Sequence, residues 1–163
     1  MSESALQLHN IPPVYDEHST RLILGSFPSV LSRRTDFFYG HPQNRFWKVL
    51  AEVFDCKVPV TVAEKKSLIL SHNLALFDVI ARCEIAGSAD SAIKNVVPNR
   101  LSPILNNSKI TEIFVNGKTA EKYYNKYLRS ETGIDCICLP STSPANAAFS
   151  LDKLVESWKI IAE

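Results

Sequence analysis

The sequence predicts a three-layer α/β/α domain built on a central, mainly parallel four-stranded sheet. Two observations carry this. Four short apolar runs of strand length recur along the chain, and stretches with helical spacing separate most of them. Strands joined through helices pair in parallel by right-handed crossovers. The 163 residues are 45% hydrophobic and 21% charged, with only 5 Gly and 9 Pro, so residues 1–163 read as one compact domain rather than a disordered or repetitive chain. A chain of this size buries roughly two thirds of the surface its unfolded form exposes and needs no disulfide or metal to stay folded.

The first strand is Arg21 to Gly25, an apolar run that ends in a turn residue. An irregular loop follows. Pro42 then sits where proline favours a helix start, ahead of Phe46, Trp47, Leu50, Val53 and Phe54 at helical spacing. Thr61 to Ser71 reads as a second helix and Leu74 to Ile80 as a fully buried strand. The polar stretch from Glu84 to Arg100 has no clear period and is expected to be a long loop over one edge. Ile110 to Asn116 is a strand ending in Asn-Gly, and Lys118 to Leu128 is a helix with Lys118, Lys122 and Lys126 on one face. Asp135 to Leu139 is the last strand. The turn from Pro140 to Ala145 leads into an amphipathic helix with Leu151, Leu154, Val155, Trp158 and Ile161 inward.

Eighteen basic against seventeen acidic residues leave a net charge of +1, which alone selects no partner. The distribution says more. Arg21, Arg33, Arg34, Arg45 and Lys48 face a single acid, Asp36, across one segment, which could carry a local positive field or be ordinary solvated surface. Cys56, Cys83, Cys136 and Cys138 show no metal-binding spacing, so no metal site and no cofactor are expected. Four unpaired thiols suit a reducing cytoplasm. No apolar run approaches the roughly 20 residues that span a bilayer, so no membrane partner is expected.

Open parallel sheets bind ligands beyond the carboxyl ends of their strands. Those ends are Gly25 to Ser29, Asp78, Asn116-Gly117 and Ser141 to Asn146. The richest stretch is Phe37 to Trp47, dense in polar and aromatic groups. If Pro42 starts the helix, Gln43 and Asn44 lie in its first turn, where free backbone amides favour an anion or polar ligand. An asparagine amide both accepts and donates, so Asn44 could orient a nucleophilic water without being a base. The alternative is that Asn44 only caps the helix.

Three blocks in order carry a family resemblance. Gly25-Ser26-Phe27-Pro28-Ser29, then Tyr39-Gly40-His41-Pro42-Gln43-Asn44-Arg45-Phe46-Trp47, then Leu139-Pro140-Ser141-Thr142-Ser143-Pro144-Ala145-Asn146 resemble the motifs of the uracil-DNA glycosylase superfamily. The closest match is the hypoxanthine-DNA glycosylase branch. One departure stands out: mismatch-specific members place the water-positioning Asn in the first block, where this chain has Phe27. The resemblance implies that Asn44 takes the catalytic role, as in the hypoxanthine branch. It implies a base pocket formed by Ser26, Phe27, Tyr39, His41 and Asp78, with Tyr39 stacking on the flipped base. It also implies DNA contacts from Arg45, Ser141, Thr142, Ser143, Pro144 and Asn146. Asp78 stands where uracil enzymes read the base edge with an Asn. A carboxylate there accepts the ring N–H of hypoxanthine and repels the ring acceptor of adenine.

The activity implied is hydrolysis of the N-glycosidic bond of a deaminated base, most readily hypoxanthine, after base flipping in double-stranded DNA. A cytoplasmic monomer acting at the nucleoid is expected. A uracil or mismatch-specific glycosylase, a non-catalytic nucleic-acid-binding module and a hydrolase of small nucleotides or phosphoesters are the rival readings.

Overall fold

The computed structural model describes residues 5–28, 37–85 and 93–163. Its strands in chain order are β1 (Ala5–Leu8), β2 (Arg21–Gly25), β3 (Leu74–Asp78), β4 (Ile80–Ile85), β5 (Lys94–Pro98), β6 (Glu112–Asn116) and β7 (Cys136–Leu139). Its helices are α1 (Phe46–Val53), α2 (Val62–Ser71), α3 (Ser102–Asn106), α4 (Lys118–Tyr127), α5 (Arg129–Thr132) and α6 (Leu151–Trp158).

The expected four-stranded parallel sheet is present, in the order β3-β2-β6-β7. Its inner strands are apolar without alternation because both faces are covered. Every residue of β3 is buried, as are Leu22 to Gly25 in β2 and Ile113 to Val115 in β6. α2 packs against β3, α4 against β6 and β7, and α1 against α6. In that last contact the Phe46 and Trp158 rings meet edge to face, with centroids 5.8 Å apart. The outer edge of β3 is closed by the amino-terminal segment, where Val14 exchanges backbone hydrogen bonds with Leu76. That contact blunts an otherwise open strand edge.

Three sequence expectations need correction. The Glu84–Arg100 stretch is not simply a loop: β4 continues to Ile85, and β4 and β5 pair antiparallel, with β1 on the other side of β4. The alternation that marks a strand is absent in β5 because Lys94, Asn95 and Val97 are all exposed and the register with β4 shifts twice. The run from Leu74 to Ile80 also breaks at Val79, where the chain leaves one sheet for the other. The Val79 and Ile80 amides donate to the Gly25 and Ser26 carbonyls, and the Asn99 side chain donates to the Asp78 and Ile80 carbonyls.

The third correction concerns Pro42, which lies in a turn and does not open a helix; α1 begins at Phe46. The Asn44 amide N–H goes back to the His41 carbonyl, and its side-chain oxygen accepts the Phe46 N–H at 3.0 Å. Asn44 therefore caps the helix from outside it, satisfying a donor that has no partner within the first turn.

Candidate active site

Pairing in the sheet brings the four strand ends together. Gly25 of β2 lies opposite Asp78 of β3, and Asn116 of β6 opposite Leu139 of β7. Gly25 is required by space: a Cβ there would lie 2.4 Å from Asp78 Oδ1 and 2.7 Å from the Tyr39 hydroxyl oxygen. Gly117, at φ +93°, similarly lets β6 turn under Ser141, since its Cβ would stand 3.0 Å from the Ser141 Cβ. Both glycines are where neighbouring segments approach the backbone most closely.

Tyr39 and Asp78 thus converge above Gly25. Asp78 is buried and paired: its Oδ2 lies 2.8 Å from His9 Nε2, with side-chain exposures of 4% and 3%. His9 Nδ1 accepts the Ile11 amide N–H, which places the ring proton of a neutral imidazole on Nε2, aimed at the carboxylate. The His9 ring is enclosed by Phe27, Phe38 and Phe77 at centroid distances of 5.0–6.0 Å. Tyr39 stacks on Phe46 with centroids 4.0 Å apart and holds its backbone in the left-handed region at φ 53°. Such a conformation costs about 1–2 kcal/mol in a non-glycine residue, so the surrounding packing must enforce it. Burial, reinforced by the nearby Asp78 charge, drives the Tyr39 hydroxyl pKa upward, so it stays a neutral donor. Asn116 lies close enough to oppose that shift in part, yet nothing among the described residues meets the hydroxyl at hydrogen-bonding geometry.

Asn44 is fixed from two sides. Its Oδ1 accepts the Phe46 N–H and, at 2.9 Å, the Thr142 hydroxyl. Because a backbone N–H can only donate, the oxygen must face it, and the orientation of the amide follows. With both lone pairs of Oδ1 engaged, what Asn44 has left to offer is the Nδ2 hydrogens. The sequence expectation is that the amide orients a nucleophilic water; in this arrangement its Nδ2 is the atom left to do so.

Against this geometry, a family model described as the uracil DNA glycosylase superfamily matches residues 12–162. The chain belongs to that superfamily. It is 35% identical over 152 residues to a protein of Methanosarcina acetivorans named hypoxanthine DNA glycosylase, covering 92% of this chain and 94% of that protein. A Methanosarcina barkeri protein of the same name is 31% identical over 155 residues, with 94% and 96% covered. The solution NMR structure of a Methanosarcina acetivorans protein described as a uracil DNA glycosylase superposes with a TM-score of 0.79 at 28% identity, covering 98% of this chain and all of that one.

In this superfamily member the third block is stitched to itself. Ser141 Oγ accepts the Ser143 N–H, Ser143 Oγ accepts the Ala145 N–H, and the Asn146 amide donates to the Ser141 carbonyl. Pro144 is exposed at its tip. Arg45, expected at the DNA, is used here instead. Its Nη2 donates to the Ser143 and Asn146 carbonyls at 3.0 and 3.1 Å, and its Nη1 to the Phe149 carbonyl. Its guanidinium is bound by loop carbonyls. Thr142 is likewise turned inward and fully buried. Arg21 is taken by Glu112 and by carbonyls of Ile161 and Glu163. Of the basic segment, Lys48 is exposed, while Arg33, Arg34, Asp36 and Ser29 lie outside the described residues. Ser26 and His41 are half-buried at the site's border, and His41 Nδ1 accepts the Gln43 N–H.

The residues missed in the sequence are His9 and Asn116. His9 lies 69 positions from its carboxylate, and nothing in its surroundings along the chain marks it. Asn116 was legible only as the end of a strand.

Two variants test these placements. Arg45→Ala should lower stability by roughly 2–4 kcal/mol, since it strips a charged donor from several carbonyls, and should leave the salt dependence of DNA binding unchanged. Denaturant melts and anisotropy titrations read the two effects separately; a lowered salt slope with unaltered stability contradicts the structural role. His9→Ala should cost about 3–5 kcal/mol by leaving the buried Asp78 carboxylate unpaired. A loss below about 1 kcal/mol would show that water reaches Asp78 in the folded state.

Proposed function

We propose that this chain is a monofunctional DNA glycosylase that flips deoxyinosine out of double-stranded DNA and hydrolyses its N-glycosidic bond, releasing hypoxanthine. The observation that carries the reading is the Asn44 amide, locked with its oxygen inward at the rim of the strand ends. Support also comes from two relatives named hypoxanthine DNA glycosylase, each aligned over more than nine tenths of this chain.

Cleavage of the glycosidic bond puts positive charge on the sugar and negative charge on the departing base. A donor whose partner grows more negative as the bond breaks strengthens in the transition state and lowers the barrier. Asn44 supplies N–H donors, and the Tyr39 hydroxyl, kept neutral by burial, is a further one. Tyr39 stacks one ring face on Phe46, and a base on its other face would gain about 1–3 kcal/mol. Phe27 forms an apolar wall beside His9, at the position where mismatch-specific members carry an Asn. Asp78, with Oδ2 on His9, keeps Oδ1 on the Gly25 side to accept the ring N–H of hypoxanthine. Water completes the hydrolysis and leaves an abasic site.

A labelled duplex containing inosine, incubated with the protein and then with alkali, reads the activity directly. Intact strand after alkali overturns the reading, and stronger cleavage of a deoxyuridine duplex would move the substrate to uracil. Asn44→Ala should slow single-turnover release by about a hundred- to a thousandfold while duplex affinity holds. Asn44→Asp should be as slow, because a carboxylate keeps the inward oxygen and loses the N–H; recovery of the rate by Asp would instead mean that the residue accepts a proton from water.

Asp78→Asn should raise release of uracil relative to hypoxanthine. With its oxygen kept on the His9 Nε2–H, the amide turns its NH2 toward the base, where it donates to a uracil carbonyl and no longer accepts the ring N–H of hypoxanthine, whereas the carboxylate only accepts. The His9 Nε2–H keeps an acceptor in either case, so packing changes little. The ratio of single-turnover rates on inosine and deoxyuridine duplexes decides the point; an unchanged ratio removes Asp78 from base reading.

A further inference from the structure

Thr142 sits in a loop rich in hydroxyls, but its own is the one that is fully buried. Every polar group of this residue is in use, and each reaches a different part of the fold. Its N–H donates to Asn116 Oδ1 at 3.1 Å. Its carbonyl accepts the Arg45 N–H at the start of α1. Its hydroxyl accepts from Asn116 Nδ2 at 3.0 Å and donates to Asn44 Oδ1 at 2.9 Å.

The direction of this chain is determined by its backbone members. Asn116 must turn its oxygen to the Thr142 N–H, so its NH2 faces the hydroxyl; the hydroxyl, already accepting, sends its proton to Asn44. Asn116 belongs to the end of β6, at the rigid centre of the sheet, whereas Asn44 precedes α1. Thr142 is therefore the link through which the sheet sets the position of the Asn44 amide, whose oxygen the Phe46 N–H already turns inward. A buried hydroxyl left without partners would be costly, and here both of its roles are spent on the two asparagines.

We propose that Thr142 is a positioning residue for base release: it does not touch DNA, and with Asn116 behind it, it holds Asn44 with the oxygen inward and the NH2 available. The proposal rests on the glycosylase reading for its effect on rate, but its geometry can be judged without it. Removing the hydroxyl frees one lone pair of Asn44 Oδ1, and the amide, then held by the Phe46 N–H alone, can swing.

The test uses Thr142→Val, which keeps shape and loses the hydroxyl, and Thr142→Ser, which keeps the hydroxyl. Single-turnover release from an inosine duplex should slow on the order of tenfold in T142V, the scale of one hydrogen bond. Duplex affinity by fluorescence anisotropy should stay within about twofold on the same scale, and T142S should recover most of the rate. In an Asn44→Ala background T142V should cause no further slowing, because the residue through which it acts is gone. Equal slowing with and without Asn44, or T142S as slow as T142V, overturns the proposal.

A second readout is independent of activity. The side-chain amide resonances of Asn44 in a 15N-labelled sample should shift or broaden in T142V and stay close to wild type in T142S. If the wild type releases no hypoxanthine, the functional reading falls, and the amide resonances still decide the positioning role: unmoved in T142V, they refute it. Should T142V fail to fold, T142S decides alone, since a serine that perturbs both rate and amide signal as a lost contact would is incompatible with a hydroxyl link.

Discussion

The two-point contact between the Asn116 side chain and Thr142 is the constraint on which the site depends. A parallel sheet delivers its loops to one edge, but nothing in the sheet fixes how those loops lie against each other. Here the end of β6 grips the third motif through Asn116, and the third motif grips the start of α1 through the Thr142 carbonyl and hydroxyl. Arg45, the neighbour of Asn44, returns the contact by binding three carbonyls farther along the same loop. Two segments about a hundred positions apart thus become one unit. A buried polar network of this kind specifies a single arrangement only while every member is satisfied, which is why the loss of one hydroxyl is felt at another residue.

The other side of the site is organised by a charge. Asp78 ends a strand whose every residue is buried, where an isolated carboxylate would be strongly disfavoured. A neutral imidazole supplies a donor, and the aromatic rings around His9 hold it in place. That arrangement gives the antiparallel sheet a purpose. β1 pairs along β4, and the His9 amide continues the ladder onto the Ala81 carbonyl, which delivers the imidazole to the end of β3. Burial, with the negative charge adding to it, keeps the Tyr39 proton in place, so the two residues above Gly25 are one acceptor and one donor.

The four strands of the main sheet were legible because burial on both faces writes itself as continuous apolar runs, and the last helix because its inward face repeats at helical spacing. The β4–β5 hairpin was not, since a strand with exposed Lys94, Asn95 and Val97 carries no periodic signal. The motif blocks located the right loops but not the duties of the residues within them. Arg45 and Thr142 are polar groups in a motif near the expected DNA face, and sequence alone cannot say whether such groups turn out to solvent or in to carbonyls and amides. Proline misled in the same way: Pro42 is compatible with a helix start, yet the side chain of Asn44 captures the first amide and moves the start to Phe46.

Asn44 is therefore a helix cap and a candidate catalytic group at once, and the first role dictates the second. A cap spends its oxygen on the backbone, and the Thr142 hydroxyl takes the remaining lone pair, so the residue has only its N–H donors left for a ligand. In a reaction where the leaving group gathers negative charge, a donor that costs no reorganisation is worth more than an acceptor for water, because its interaction grows along the reaction path. The replacement of an Asn by Phe27 in the first motif is consistent with that division. The wall by His9 is apolar, and the candidate amide is built into the fold by the start of α1.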